Sequence, residues 1–302
     1  EGLAQVSDPT VSDVPGVFAS FFGPDPLNLL GVVILTSLGT WGLPQMTQKF
    51  YAIKSEKAID TGTVISTLFA AVVAGGCYFL GGFGRLFSDQ VDIAANGYDS
   101  VVPTMLSGLP DILLAVVVIL VLSASMSTLS SLVLTSSSTL TLDLLKDHIV
   151  KDMDQKRQVF VMRCLIVVFI AISVVLAIVQ YKSNVTFIAQ LMGVSWGALA
   201  GAFLAPFLFG LYWKKATKAA CWASFLFSTV VMLANIGLKS LFPAVLQSPI
   251  NAGAFCMVAG LIIVPLVSLF TPKPDAKMVE ESFSCFDQKV LVRQSQALGD
   301  PN

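Results

Sequence analysis

Long apolar runs alternate with short polar connections along this chain until residue 271. Seven runs, at 27–48, 59–82, 111–142, 158–180, 185–212, 216–238 and 252–271, approach or exceed the length needed to cross a membrane as a helix. A hydrocarbon layer of about 30 Å asks for about 20 apolar residues. No stretch alternates polar and apolar positions as a membrane barrel strand does. The pattern predicts an all-α integral membrane protein, a helical bundle over 27–271, with an outer segment at 1–26 and a polar cytoplasmic tail at 272–302.

Composition agrees. Of 302 residues, 55% are hydrophobic and only 12% charged, with a mean hydropathy of +0.80. Soluble domains carry about a quarter charged residues. A net charge of −1 supplies no general attraction for nucleic acid. Cys77, Cys164, Cys221, Cys256 and Cys285 are widely separated and form no CxxC pair, and the four in or beside apolar stretches read as buried thiols. The single histidine, His148, stands beside Lys146 and Asp147 in what reads as a polar loop, so a histidine triad or zinc site has little to draw on. No membrane-embedded enzyme motif appears in the spans. The chain opens EGLAQVSDPT, without Met or a basic leader, and is expected to be the C-terminal part of a longer protein.

Lys and Arg set the expected orientation. With the connection after the first run placed in the cytoplasm, twelve basic residues in the connections and the start of the tail lie inside and three (Arg85, Lys182 and Lys239) lie outside. This predicts a multi-pass plasma-membrane protein whose N-terminal segment is outside and whose tail is inside.

Three features interrupt the apolar pattern. Gly39, Gly42 and Pro44 fall within one run, in LGTWGLPQM. Proline lacks an N–H and clashes with the preceding turn. Two readings stand: a broken helix offering freed backbone groups to a solute, or a kink relieved by Thr36, Ser37 or Thr40. Gly193, Gly197 and Gly201 recur every fourth residue in GVSWGALAG, the spacing of a close helix–helix seam or of a hinge. Finally, Ala124, Ser127, Thr128, Ser131, Thr135 and Ser138 share one face of the third run. That face suits a packing seam of small residues, or a neutral-oxygen site for a monovalent cation.

The stretch SASMSTLSSLVLTSSSTLTLDLLK resembles the signature helix of the sodium:solute symporter family, which contains the sodium/proline, sodium/pantothenate and sodium/glucose carriers. GLPQMTQKFYAIKSEKAI is similar to the broken helix and following cytoplasmic loop of bacterial members. The resemblance runs from about residue 27 to 270. It implies the second inverted repeat of a leucine-transporter-type fold plus extra C-terminal helices, the first repeat being absent. It implies Na⁺ as coupling ion, held by the Ala124 carbonyl and the Ser127 and Thr128 hydroxyls. For substrate it implies Thr36, Thr40, Trp41, Gly42, Pro44 and Gln45. The solute would be a small amino acid, carboxylate or sugar, with the lipid bilayer as the other partner and no organic cofactor. Sodium/proline carriers have aromatics where this chain has Thr36 and Thr40, which leaves the solute open.

The expected activity is Na⁺-coupled symport by alternating access. One charge moving down 100 mV yields about 2.3 kcal/mol. A tenfold sodium gradient adds about 1.4 kcal/mol, so one ion could sustain a solute ratio of several hundredfold. The alternatives are a seven-helix receptor and a proton-coupled carrier. The span interiors carry no Asp, Glu or His to relay a proton.

Overall fold

The structure, a computed structural model, describes residues 12, 14–50, 53, 55–91, 97–150, 153–183 and 188–287. Among the described residues it is almost wholly helical. Six helices are long and apolar enough to cross a membrane, which makes the chain a multi-pass, all-α membrane protein. Two compact units form, Phe87–Phe187 and the remainder, Glu1–Leu86 with Ile188–Asn302.

In the larger unit the first apolar run is divided. Helix α1 spans Pro26–Gly42 and α2 spans Pro44–Phe50, with Leu43 extended between them. At 1.5 Å per residue the 17 residues of α1 reach only about 25 Å, short of a full crossing. Asp25 starts α1 by accepting from Asn28 N–H at 3.0 Å, with Pro26 at the first helical position. Helix α3, Glu56–Gly82, is capped by the Ser55 hydroxyl, and its described side chains stay exposed along its whole length. An apolar surface of this kind is suited to lipid or to another transmembrane helix.

The smaller unit holds α4 (Val101–Leu106), α5 (Asp111–Thr139) and α6 (Gln155–Ser183). Helix α5 continues as a π-helical segment, Leu140–Ile149, and both α5 and this segment pack on α6. His148 therefore lies in wound helix and not in a loop, its Nδ1 3.0 Å from the Asp143 carbonyl oxygen.

The rest of the larger unit is α7 (Ile188–Tyr212), α8 (Lys218–Gly237), α9 (Pro249–Phe270) and α10 (Ala276–Phe283). Helices α7, α8 and α9 pack on one another, and α1 packs on α7 and α9. The four-residue glycine seam is the reason they approach so closely. A Cβ added to Gly197 would sit 2.6 Å from Gly253 Cα, and one on Gly193 would sit 2.8 Å from Ile250 N. The packing reading of GVSWGALAG holds. Ser228, buried on α8, donates across this seam to the Gly197 carbonyl at 3.0 Å. The start of the tail is more ordered than its polarity suggests. Asp275 caps α10, and the Lys214 ammonium stands 5.4 Å from the Phe283 ring centre.

Candidate functional site

The helix break is built by local chemistry and then fixed by packing. A residue before proline is pushed toward extended backbone, and Leu43 takes φ −85° and ψ 120°. Pro44 can then open a new helix, because the N–H it lacks would have had no intrahelical partner there. Leu43 is 1% exposed and lies in an apolar core with Leu35, Ala200, Leu204, Ile250 and Met257. Its carbonyl accepts from Met46 N–H at 2.9 Å. Ending α1 here leaves the last carbonyls, around Thr40, Trp41 and Gly42, without donors from their own helix. The result is an interruption in the helical hydrogen bonding, a polar notch in the apolar run, beside the buried Leu43 side chain.

The six residues implied for substrate do not share one surface. Gly42 is buried: a Cβ there would lie 2.8 Å from both Ala200 Cα and its carbonyl oxygen. Gly39 similarly faces Trp196 and Met257. Both glycines thus mark close approach to α7 and α9, where the sequence suggested backbone freedom. Thr36 and Thr40 are half-buried, and their hydroxyls donate to the Val32 carbonyl at 2.8 Å and the Ser37 carbonyl at 3.1 Å. Trp41, 57% exposed, and Pro44 point outward, while Gln45 is half-buried. Leu43, the residue that makes the break, was absent from the expected set, although the proline after it signals its extended backbone.

On α5 the hydroxyls divide into two groups. Ser130 donates to the Met126 carbonyl at 2.7 Å, and Ser137 and Ser138 donate to Leu134 and Thr135 at 3.0 and 2.9 Å. Thr141, in the π-helical segment, closes the series on the Ser137 carbonyl at 2.7 Å. Such bonds consume a hydroxyl proton within the helix. Ser127 and Thr128 make no side-chain hydrogen bond among the described residues. Packing draws a second line, with Ser130 exposed although back-bonded. The buried positions are Val133, Ser137 and Thr141, four residues apart, whereas Ala124, Ser127 and Thr128 are exposed. The face singled out by its hydroxyls is therefore not the packed edge at this level. Two exposed hydroxyls in an apolar span thus keep their hydrogen-bonding capacity for a partner. Among the described residues no three His, Cys, Asp or Glu side chains gather, so a cation on this face would meet neutral oxygens.

Comparison with known proteins finds one family model that covers both segments. The model of the Sodium:solute symporter family matches residues 13–227, which include both the helix break and the hydroxyl face. The chain is 26% identical over 272 residues to the high-affinity proline transporter PutP of Bacillus subtilis, covering 88% of this chain and 54% of that protein. It is 25% identical over 209 residues to the sodium/pantothenate symporter of Haemophilus influenzae, covering 68% and 42% of the two chains. Against the sodium/proline symporter of Staphylococcus aureus the identity is 28% over 263 residues, covering 83% and 50%. The chain spans about half the length of the curated relatives it matches. No solved structure matches it.

Proposed function

The chain belongs to the sodium:solute symporter family, and from that premise we propose that it forms the second half of the core of a Na⁺-coupled carrier for a small organic solute. The observation that carries this reading is the divided helix. A break locked into the core by Leu43 leaves carbonyls at the end of α1 without helical donors, and a solute with hydrogen-bond donors can use them. Thr40, Trp41 and Gly42 contribute at the end of α1 and Pro44 and Gln45 at the start of α2, with Thr36 one turn further back. Thr36 and Thr40 reach the solute by turning away from their own helix. Relatives named for proline and pantothenate favour a zwitterionic or carboxylate solute.

Sodium binds at Ala124, Ser127 and Thr128. The Ala124 carbonyl retains a lone pair beyond its helical bond, and the two hydroxyls are uncommitted. Three neutral oxygens do not complete a shell, so the remaining ligands come from elsewhere in the whole carrier. The preponderance of Lys and Arg on one side supports a cytoplasmic tail and an outer N-terminal segment. Inward and outward exposure of the notch then alternate during transport.

The test is uptake of labelled proline, other amino acids, pantothenate and sugars into vesicles holding the full-length protein. Each is measured under a sodium gradient and under a proton gradient. Sodium-driven uptake of one solute, lost in Ser127→Ala and in Thr128→Ala, is expected. Uptake driven equally well by protons, or unaffected by both substitutions, would remove sodium from this face.

A further inference from the structure

The cationic end of the α7–α9 bundle contains an amphipathic cleft that neither the helix break nor the hydroxyl face uses. A cavity of about 520 Å³ lies between the start of α8 and the segment entering α10. Thr217, Lys218, Trp222, Lys273, Asp275 and Met278 line it. A second cavity, about 340 Å³, runs between α7 and α8 and is bounded by Ala202, Phe203, Pro206, Cys221 and Phe225. Lys218 and Trp222 line both cavities, so the polar cleft and the apolar furrow adjoin at these two side chains.

Each part has its own chemistry. Lys218 and Lys273 in the cleft, and Lys214 and Lys215 beside it, are exposed, and none forms an ion pair among the described residues. The nearby carboxylate of Asp275 accepts instead from the Lys277 N–H at 3.0 Å. The 20-residue helix α8 begins here, and its first-turn N–H groups at Lys218 and Ala219 have no intrahelical acceptor. Thr217 is held in place by its own N–H, which donates to Ser268 at 3.2 Å, and by a 2.6 Å contact between its hydroxyl and that of Thr271. The furrow offers aromatic and aliphatic walls and no charge beyond Lys218. Tyr212, Trp213 and Trp222 lie at the same end of the bundle, and aromatic residues near helix ends are characteristic of membrane interfaces.

We propose that this composite site binds one anionic phospholipid. Its phosphate lies against Lys218, Lys273 and the α8 N-terminus, and an acyl chain lies in the furrow between α7 and α8. A free anion would use the cleft alone, and a neutral lipid the furrow alone. The adjacency of the two sites at Lys218 and Trp222, a cationic cleft against an apolar furrow, favours a ligand having both parts. The site is independent of which solute is carried.

The test is native mass spectrometry of the full-length protein taken from vesicles of equal phosphatidylglycerol and phosphatidylcholine. One phosphatidylglycerol is expected to be retained in preference to phosphatidylcholine. Each of Lys218→Gln and Lys273→Gln should lower that preference by about fivefold, the factor equivalent to about 1 kcal/mol per basic residue near an anionic surface. Cys221→Phe, which fills the furrow, should reduce retention of both lipids. The two lysines are exposed, so their substitution leaves folding intact even if the Cys221 variant fails to fold. Equal retention of the two lipids, or a preference indifferent to both lysine substitutions, overturns the proposal. Loss of the preference when millimolar inorganic phosphate is added overturns it as well, because the site would then take a free anion.

Discussion

Replacing Gly42 by alanine tests whether the helix break is held by close packing or acts as a flexible joint. The new Cβ would stand 2.8 Å from Ala200 Cα and its carbonyl oxygen and 2.9 Å from Ala200 Cβ. Carbon atoms in good contact are about 3.5–4.0 Å apart. Two of the three atoms are backbone of α7, so no side-chain rotation relieves the clash and the helices must part. Overpacking of this kind costs about 1–3 kcal/mol. Alanine recovers about 0.5–1 kcal/mol over glycine within a helix, and less at its last residue. A net loss of about 1–2 kcal/mol is expected, near tenfold in the unfolding equilibrium. Gly39→Ala should lose less, because its neighbours at 3.0 and 3.3 Å are the Trp196 ring and the Met257 methyl group, which can shift. Gly210→Ala meets nothing within 4 Å and should be neutral or stabilising. Unfolding of the three variants in detergent, alongside uptake in vesicles, gives the order. Gly42→Ala as stable as Gly210→Ala would refute the packing argument, and uptake lost at unchanged stability would restore the joint.

Gly197→Ala should be the most damaging of the glycine variants, since its Cβ would meet Gly253 backbone at 2.6 Å; the same unfolding measurement ranks it. Ser228→Ala removes the bond to the Gly197 carbonyl and should cost about 0.6 kcal/mol, with about 1.7 kcal/mol as the upper end for such bonds in membranes. Thr217→Ala removes the cap on Ala220 N–H together with the contact to Thr271, and should cost about 1–2 kcal/mol by thermal unfolding. Ser127→Ala and Thr128→Ala should change stability by less than about 0.5 kcal/mol, being exposed and unbonded. Their effect should appear in sodium-dependent uptake alone.

Much of the architecture is legible in the chain. Six of the seven apolar runs became single long helices with ends close to those expected, and the seventh divided at Leu43. Lipid cannot satisfy a backbone N–H or carbonyl, so a long apolar run has little choice but to wind. The place of the interruption was legible, because Pro44 acts on the residues beside it, although a break and a kink stayed open. So was the seam at Gly193, Gly197 and Gly201, where only small residues let two backbones meet.

What the sequence could not say is which way each residue faces. In water a packed face is more apolar than an exposed one, but in a bilayer lipid and protein are equally apolar, and hydropathy loses its directional content. Gly39 and Gly42 could therefore pass for a loosened turn until the neighbouring Trp196 and Ala200 showed them to be contact points. The stripe from Ala124 through Ser127 and Thr128 to Ser138 was visible in the sequence, but not that the packed edge of this helix and the π-helical segment after it runs through Val133, Ser137 and Thr141 instead. Lys218 and Trp222 lie one turn apart on α8 while Lys273 is some fifty residues further on, and only the return of α9 beside α8 brings them to one cleft. Local backbone chemistry determined where the helices are. Non-local shape decided which side of each helix is packed and which is left free to bind.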